Sequence, residues 1–450
     1  MPRREFLELG AAAALAAAGG GTAGASERGA EAEARPGPSP GASPSPVRVG
    51  IVGCGGRGRG LLGTLLRVPG VEVPAVCDVK PESAKLAQDA VEEARGRRPE
   101  AYVEGPEDYR RLVAREDLDA AIIATPWDWH ARMAVAALRA GKYAGVEVPA
   151  AITLEECWDL VNASEETGVP CMMLENWSFR RDNLAVLNMI RRGLLGEILH
   201  CHCAHSHNCV DHWYFDASGN IRWGGEFLVR RNADQYPTHS LGPVLSWLDV
   251  NCGDAFLYLT SSATKSIGIN RYFERKFGPD HPNAKRAYAQ GDIVTTVVKT
   301  HGGKTIVVNN DMQLPRPYDN RWLVQGTLGL YDEARNAVYL EGRSPKVHEW
   351  EPFPPYQEAF DHVWWKEMPE KEAAAGHGGT DYLELAKFVD AVRARAQTPI
   401  DVYDSVTMSC LVPLSEISIA RGSAPVECPD FTRGKWKDRR RTFAADPAAG

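Results

Sequence analysis

The sequence predicts an α/β domain built on a parallel sheet over residues 47–170, followed by an α+β domain with an antiparallel sheet over residues 171–436. Three observations carry this. Short apolar runs alternate with amphipathic stretches in the first part, the pattern of a parallel sheet covered on both faces. A glycine-rich turn, Gly53-Cys54-Gly55-Gly56-Arg57-Gly58, directly follows the first run. In the second part several apolar runs succeed one another before helical periodicity returns.

Taken in order, Val47–Val52, Val71–Cys77, Leu118–Ala124 and Tyr143–Val148 are the expected strands of the first part. Glu82–Arg97, Trp129–Ala140 and Leu154–Thr167 are its expected helices. A Cys/His-rich strand follows Gly196-Glu197. Phe256–Thr260, Ile293–Thr300, Lys304–Asn309 and Trp322–Gln325 then read as antiparallel strands, with helices at Thr380–Ala396 and Val406–Arg421. The sequence contains no internal repeat.

Of the 450 residues, 44% are hydrophobic and 24% charged, ordinary for a soluble globular chain with two sizeable cores. A net charge of −8 gives no basic face for nucleic acid. The one basic run, Arg433 to Arg441, reads as a solvated terminus, with residues 437–450 a tail. The ten cysteines lack framework spacing or a CxxC pair and read as small buried hydrophobes.

At the N-terminus, Arg3-Arg4-Glu5-Phe6-Leu7 precedes a weakly apolar Ala/Gly stretch and the small-x-small pattern Ala23-Gly24-Ala25. Residues 1–25 resemble a twin-arginine signal, which implies the Tat export machinery as a partner and a periplasmic or extracellular location. The segment is too short and too glycine-rich for a stable membrane span. Residues 26–46, rich in Gly, Ala, Pro, Ser and Glu, read as a disordered linker. The sequence admits a homo-oligomer without specifying one.

The GxGxxG turn sits where it has physical work to do. Gly53 allows a tight turn, Gly55 lets the backbone approach a pyrophosphate, and Gly58 lets the next helix pack closely. That helix offers its free N–H groups and positive dipole end to phosphate. The motif alone is weak, but Asp78 ends the second strand, where an acid hydrogen-bonds an adenosine ribose and repels a 2′-phosphate. NAD is therefore expected over NADP. Ala124-Thr125-Pro126-Trp127-Asp128-Trp129-His130 follows a buried strand, and strand C-termini line the ligand crevice. Trp127 to His130 are thus expected to cover the dinucleotide, against the plainer reading that the tryptophans only pack.

These residues resemble the Gfo/Idh/MocA oxidoreductase family. The resemblance implies an N-terminal Rossmann domain and a C-terminal domain whose open, mostly antiparallel sheet contacts substrate. Members typically carry Glu-Lys-Pro after the fifth strand, the lysine working beside a catalytic histidine; this chain has Glu147-Val148-Pro149. A valine neither donates a proton nor holds a charge, so an ordinary alcohol-dehydrogenase site lacks a part.

A narrower set of motifs resembles glycoside hydrolase family 109: Glu147-Val148-Pro149-Ala150-Ala151, Met172-Met173-Leu174-Glu175-Asn176, Tyr236-Pro237-Thr238-His239, Leu314-Pro315-Arg316-Pro317-Tyr318, Gly376-His377-Gly378-Gly379 and Ser423-Ala424-Pro425-Val426-Glu427. They span about residues 47–436 in one order. The resemblance implies α-N-acetylgalactosaminidase activity on a small-molecule or glycan substrate, with tightly held NAD. A hydride leaves sugar C3, the ketone acidifies the C2 proton, and its loss expels the C1 substituent. Water then adds and the hydride returns, unlike the two-carboxylate route of most glycosidases. An exported enzyme finds little free NAD, which favours such a redox-neutral cycle. A periplasmic sugar oxidoreductase and a non-catalytic sugar-binding descendant remain the rival readings.

The resemblance makes His239 the general base for the C3 hydroxyl, a role suited to neutral imidazole. It makes Tyr236 a bridge between sugar and cofactor, and Tyr318 a further catalytic-site contact. Arg57, Gly58, Asp78, Trp127, Asp128, Trp129, His130, Glu147, Val148, Asn176 and Tyr236 would touch NAD together with Gly53 and Gly55. His205, Gly224, Tyr236, Pro237, Thr238, His239 and Tyr318 would form the sugar pocket. Here the chain departs from the family. A sugar-binding tyrosine falls at His205, an arginine at Gly224 and a tyrosine at Phe179. Glycine cannot replace the forked donors of arginine, so sugar specificity is less secure than reaction type.

The dense segment His200, Cys201, His202, Cys203, His205, His207, Cys209 and His212 offers zinc-type ligands. Strand alternation would split Cys201 and Cys203 from His200 and His202 onto opposite faces, so no metal is expected.

Overall fold

The computed structural model describes residues 45–374 and 376–445. The expected signal segment, and all of the expected linker but residues 45 and 46, fall outside them. The first sheet has six strands: β1 (Val47–Val52), β2 (Val71–Cys77), β3 (Glu100–Tyr102), β4 (Ala120–Ile123), β5 (Tyr143–Val146) and β6 (Cys171–Met173). Their spatial order is 3-2-1-4-5-6, and every pair is parallel. Between β1 and β4 the order reverses, opening the crevice where such sheets take ligands. All four residues of β4 are buried, which explains its unbroken Ala-Ala-Ile-Ile run.

Five helices cover this sheet: α1 (Gly56–Leu65), α2 (Pro81–Arg95), α3 (Tyr109–Val113), α4 (Trp127–Arg139) and α5 (Leu154–Thr167). The ends of α5 are written in the sequence. Thr153 and Glu156 form a reciprocal capping box, and Gly168 closes the helix in the left-handed region at φ 68°.

The second sheet has nine strands: β7 (Ile198–Ser206), β8 (Phe256–Ala263), β9 (Val294–Thr300), β10 (Thr305–Asp311), β11 (Leu323–Gly326), β12 (Gly329–Asp332), β13 (Ala337–Leu340), β14 (Glu351–Pro352) and β15 (Val426–Glu427). Its order is 14-13-12-11-7-10-9-8-15, antiparallel except where β10 runs beside β7. Helix α6 (Arg181–Arg191) connects the sheets, and α7 (Trp223–Arg230) and α8 (Thr238–Leu248) lie between β7 and β8. A single continuous core joins them, with Trp247, Trp322, Phe179 and Phe388 fully buried in it.

Two expectations need correction. The helix expected at Val406–Arg421 is two, Val402–Ser409 and Leu411–Ala420. Pro413 has no N–H to donate to the carbonyl four residues back, so the ladder breaks there. The basic run is not a solvated terminus. Arg433 and Lys435 pair with Glu165, Arg439 with the buried Asp401, and Arg441 with Asp249. Phe443 and Ala444 of the expected tail are buried. Acids along the path thus partner four of its cations.

Candidate active site

The cofactor cradle follows from β1. Gly53 turns at φ 90°, and a Cβ there would lie 2.5 Å from the Ala124 carbonyl oxygen. A Cβ on Gly58 would lie 1.8 Å from the Gly53 carbonyl oxygen, so α1 can approach the turn only with glycine there. A Cβ on Gly55, which caps α1, would meet nothing within 4 Å. Open space therefore stands at the helix N-terminus, where a dinucleotide phosphate belongs. Asp78 accepts the Cys54 N–H at 2.7 Å and the Lys80 N–H at 2.8 Å. It locks the glycine turn and keeps lone pairs for a ribose hydroxyl.

On the far side of the crevice, Arg57 Nη1 donates to Asp381 at 2.8 Å and its Nε pairs with Glu147. Burial pushes the Asp381 carboxyl up, but hydrogen bonds from His377 and the Arg57 charge hold it well below the usual range. Asp381 also accepts from Asn176 Nδ2 at 2.8 Å, which leaves the buried Asn176 Oδ1 without a partner. That orphan acceptor suits an amide or hydroxyl donor of a bound cofactor.

Beside it stands a histidine dyad. His239 opens α8, and its Nδ1 faces both oxygens of Glu175 at 3.0 and 2.8 Å. Gly242, one turn on, makes this possible: a Cβ there would lie 3.0 Å from Glu175 Cγ. The carboxylate fixes the Nδ1–H tautomer and leaves Nε2 as the basic nitrogen. The His205 ring lies 5.1 Å from that of His239 and 5.2 Å from Tyr236. His205 is buried, with Nδ1 unpartnered. Burial, then the neighbouring His239 and His207, pushes its pKa well below the ordinary value, so it is neutral. Tyr318, about 42% exposed, closes the group at 5.5 Å from His205 and 6.1 Å from Trp177. Burial of its hydroxyl raises the Tyr318 pKa, keeping it a donor.

Several expected contacts lie elsewhere. His130 is buried, and its ring nitrogens reach the carbonyl oxygens of Pro149 at 2.8 Å and Thr125 at 2.7 Å. It ties two loops together and has no free nitrogen for a dinucleotide. Trp127 is buried in an aromatic cluster with Trp213, Trp223, Phe227 and Tyr236, the packing role weighed against it. Asp128 faces Arg230 at 3.6 Å, and Trp129 carries the Arg132 guanidinium. Val148 is a core residue. Pro237 and Thr238 are buried at the start of α8, directly before His239. Gly224 is likewise buried: a Cβ there would meet Trp213 Nε1 at 3.1 Å. A side chain at this position would press on the Trp213 indole.

Sequence reasoning missed Glu175, Asp381 and Trp177 as site residues. Glu175 was legible in principle, being the acid two residues past β6 on the crevice side of the sheet. Asp381 carried no such signal, since only the fold brings residue 381 to Arg57. Cys201 and Cys203 are buried while His200 and His202 are half-buried, the split that alternation requires. Beyond the strand, however, His207, Cys209 and His212 come together.

Cradle and dyad together define a class: an NAD-binding enzyme of the oxidoreductase fold with a carboxylate-held histidine in its crevice. Residues 47–175 match the oxidoreductase family with an NAD-binding Rossmann fold, and residues 179–438 match the glycosyl hydrolase 109 C-terminal domain. The chain belongs to glycosyl hydrolase family 109 and is an NAD-dependent glycoside hydrolase. It is 41% identical to an alpha-N-acetylgalactosaminidase of Tannerella forsythia, over 87% of this chain and 88% of that one. It is 40% identical to a glycosyl hydrolase family 109 protein of Stenotrophomonas maltophilia, over 88% and 91%. Among solved structures, levoglucosan dehydrogenase in complex with NADH and levoglucosan superposes with a TM-score of 0.63 at 21% identity, over 86% and 100%. An NAD binding oxidoreductase from Klebsiella pneumoniae does so with 0.63 at 17%, over 85% and 99%.

Proposed function

We propose that this chain hydrolyses an N-acetylgalactosaminide or a closely related glycoside, by oxidation, elimination, addition of water and reduction within one pocket. The observation that carries this reading is the Glu175–His239 dyad. NAD, when bound, supplies a hydride acceptor at sugar C3 that becomes a donor at the end of the cycle. His239 Nε2 takes the C3 hydroxyl proton on the way out and returns it on the way back. Glu175 offsets the positive charge that forms on the imidazole. His205, neutral and with a bare Nδ1, is placed to take the adjacent C2 proton once the C3 ketone has acidified it. Two imidazoles 5.1 Å apart thereby serve neighbouring carbons. Tyr318 donates toward the oxygens that leave or enter at C1. Arg57, Asp381 and Asn176 hold the cofactor side.

Specificity is the open part of the pocket. Trp213 against Gly224, with the half-exposed Trp223 beside it, supports recognition by stacking on a sugar face where the family uses a forked cation. A panel of chromogenic α- and β-glycosides of N-acetylated and plain sugars tests the reading. Turnover without accumulation of reduced cofactor supports it; a released keto sugar with stoichiometric reduction would mark a sugar oxidoreductase.

The same proposal includes export through the twin-arginine route. Arg3-Arg4 and the small-x-small pattern support it, and so does chemistry: a cofactor acquired before export must be regenerated in place. Replacing Arg3 and Arg4 by lysine should retain the enzyme in the cytoplasm; unchanged secretion would remove this part.

A further inference from the structure

We propose that His207, Cys209 and His212 bind one thiophilic divalent metal ion of the zinc class at the rim of the sugar pocket. Their ligand atoms lie within 4.8 Å of one another, a span that a tetrahedral site closes. The backbone builds the cluster. As the chain leaves β7, the His207 N–H donates to the Asp311 carbonyl at 2.8 Å and the Cys209 N–H to the Met312 carbonyl at 2.9 Å. These two bonds pin His207 and Cys209 beside the end of β10, with His207 Nδ1 brought 2.8 Å from Cys209 Sγ. A π-helical turn, Val210–Tyr214, then folds back, with the Trp213 and Tyr214 N–H groups both donating to the Cys209 carbonyl. This turn returns His212, which sits edge-on to His207 with ring centroids 5.2 Å apart. Single π turns mark functional sites more often than chance.

A plain hydrogen bond accounts for His207 Nδ1 lying 2.8 Å from Cys209 Sγ. It does not account for the second imidazole converging on the same sulfur. Two imidazoles and a thiol select zinc-class ions over magnesium or calcium, which prefer oxygen. Cys209 is buried and His212 exposed, so three protein ligands close the inner side and the fourth position opens outward to water. On binding, the Cys209 thiol gives its proton to solvent as the sulfur–metal bond forms. The His207 ring is 5.0 Å from Tyr318 and 6.1 Å from His205. A metal would thus fix the loop that carries one wall of the pocket. The site is distinct from the cofactor cradle.

The test uses the tag-free chain with its NAD, equilibrated with excess zinc chloride, gel-filtered and analysed for metal. One zinc per chain is expected. H212A, at an exposed residue, should bind zinc at least about tenfold more weakly while retaining NAD as the parent does. Cobalt substitution should give a thiolate-to-metal charge-transfer band that C209S lacks. A parent chain that retains no zinc, variants that retain as much as the parent, or cobalt bound without that band would each overturn the site.

Discussion

Glu175 holds His239 with both carboxylate oxygens, at 3.0 and 2.8 Å from Nδ1. The two residues belong to different parts of the fold, one just past β6 and the other in the first turn of α8. Glu175 also accepts the Trp177 N–H at 3.0 Å and is fully buried, so its orientation is set from three sides. The dyad therefore stands ready before any sugar arrives.

Replacing Glu175 by glutamine keeps the shape and removes the charge. The imidazole loses its tautomer lock and its counter-charge, so kcat should fall by about 10² to 10⁴. Cofactor content after gel filtration should match the parent. Unchanged turnover in E175Q would show that the dyad is structural.

Gly58→Ala places a methyl group 1.8 Å from the Gly53 carbonyl oxygen, a contact no side-chain motion relieves. The glycine turn must open or α1 must move. NAD retention should be lost, as read by absorbance and by release on denaturation. A G58A chain that keeps its cofactor would contradict the cradle described here.

Stability should decline on mild acidification, through buried neutral histidines. Burial first, then neighbouring imidazoles, depresses the folded-state pKa of His205; burial also depresses that of His130. In the unfolded chain both take a proton as pH falls through about 6.5. Their contribution is fully present above that pH and is lost as pH falls toward the folded values, at ~1.4 kcal/mol per pH unit for each residue. H205Q should show a shallower fall in Tm between pH 7 and 5 than the parent. Parallel slopes would contradict the assignment.

Asp234 carries the opposite sign. Burial raises its pKa to about 7, against the smaller lowering effect of the Tyr236 backbone. The folded chain holds this proton where the unfolded chain has lost it, so stability is lost as pH rises from about 4 toward 7. D234N should raise Tm at pH 8 and change it little at pH 4. Equal effects at both values would mean that charge is not the cause.

Gly224→Arg introduces the arginine that the family resemblance implies here, yet it should not raise activity. Its Cβ would already meet Trp213 at 3.1 Å, so the indole must move first. Activity should drop in G224R and recover in part when Trp213 is also reduced to alanine. Full activity in the single variant would show that the indole wall yields freely.

Periodicity and turn chemistry made much of this protein legible. The four long strands of the first sheet, the capping box of α5 and the glycine turn all obey local rules. β3 and β6, three residues each, fall below the length at which alternation is readable. The cofactor glycines were legible because their constraint is local backbone geometry. His239 was found by motif, but its partner Glu175 emerged only when the fold set β6 against α8. His130, Thr238 and Gly224 face inward, and adjacency in sequence to a site does not say which way a side chain points. The basic run was misread because its acidic partners lie far away along the chain.

In the proposed cycle an electron pair leaves the sugar and returns to it in each turnover. Hydrolysis of a glycoside deuterated at C3, and of the ordinary glycoside in heavy water, reads this directly. A slowed rate with the labelled sugar and uptake of deuterium at C2 of the product are expected. An unchanged rate together with a product free of deuterium at C2 would contradict the cycle.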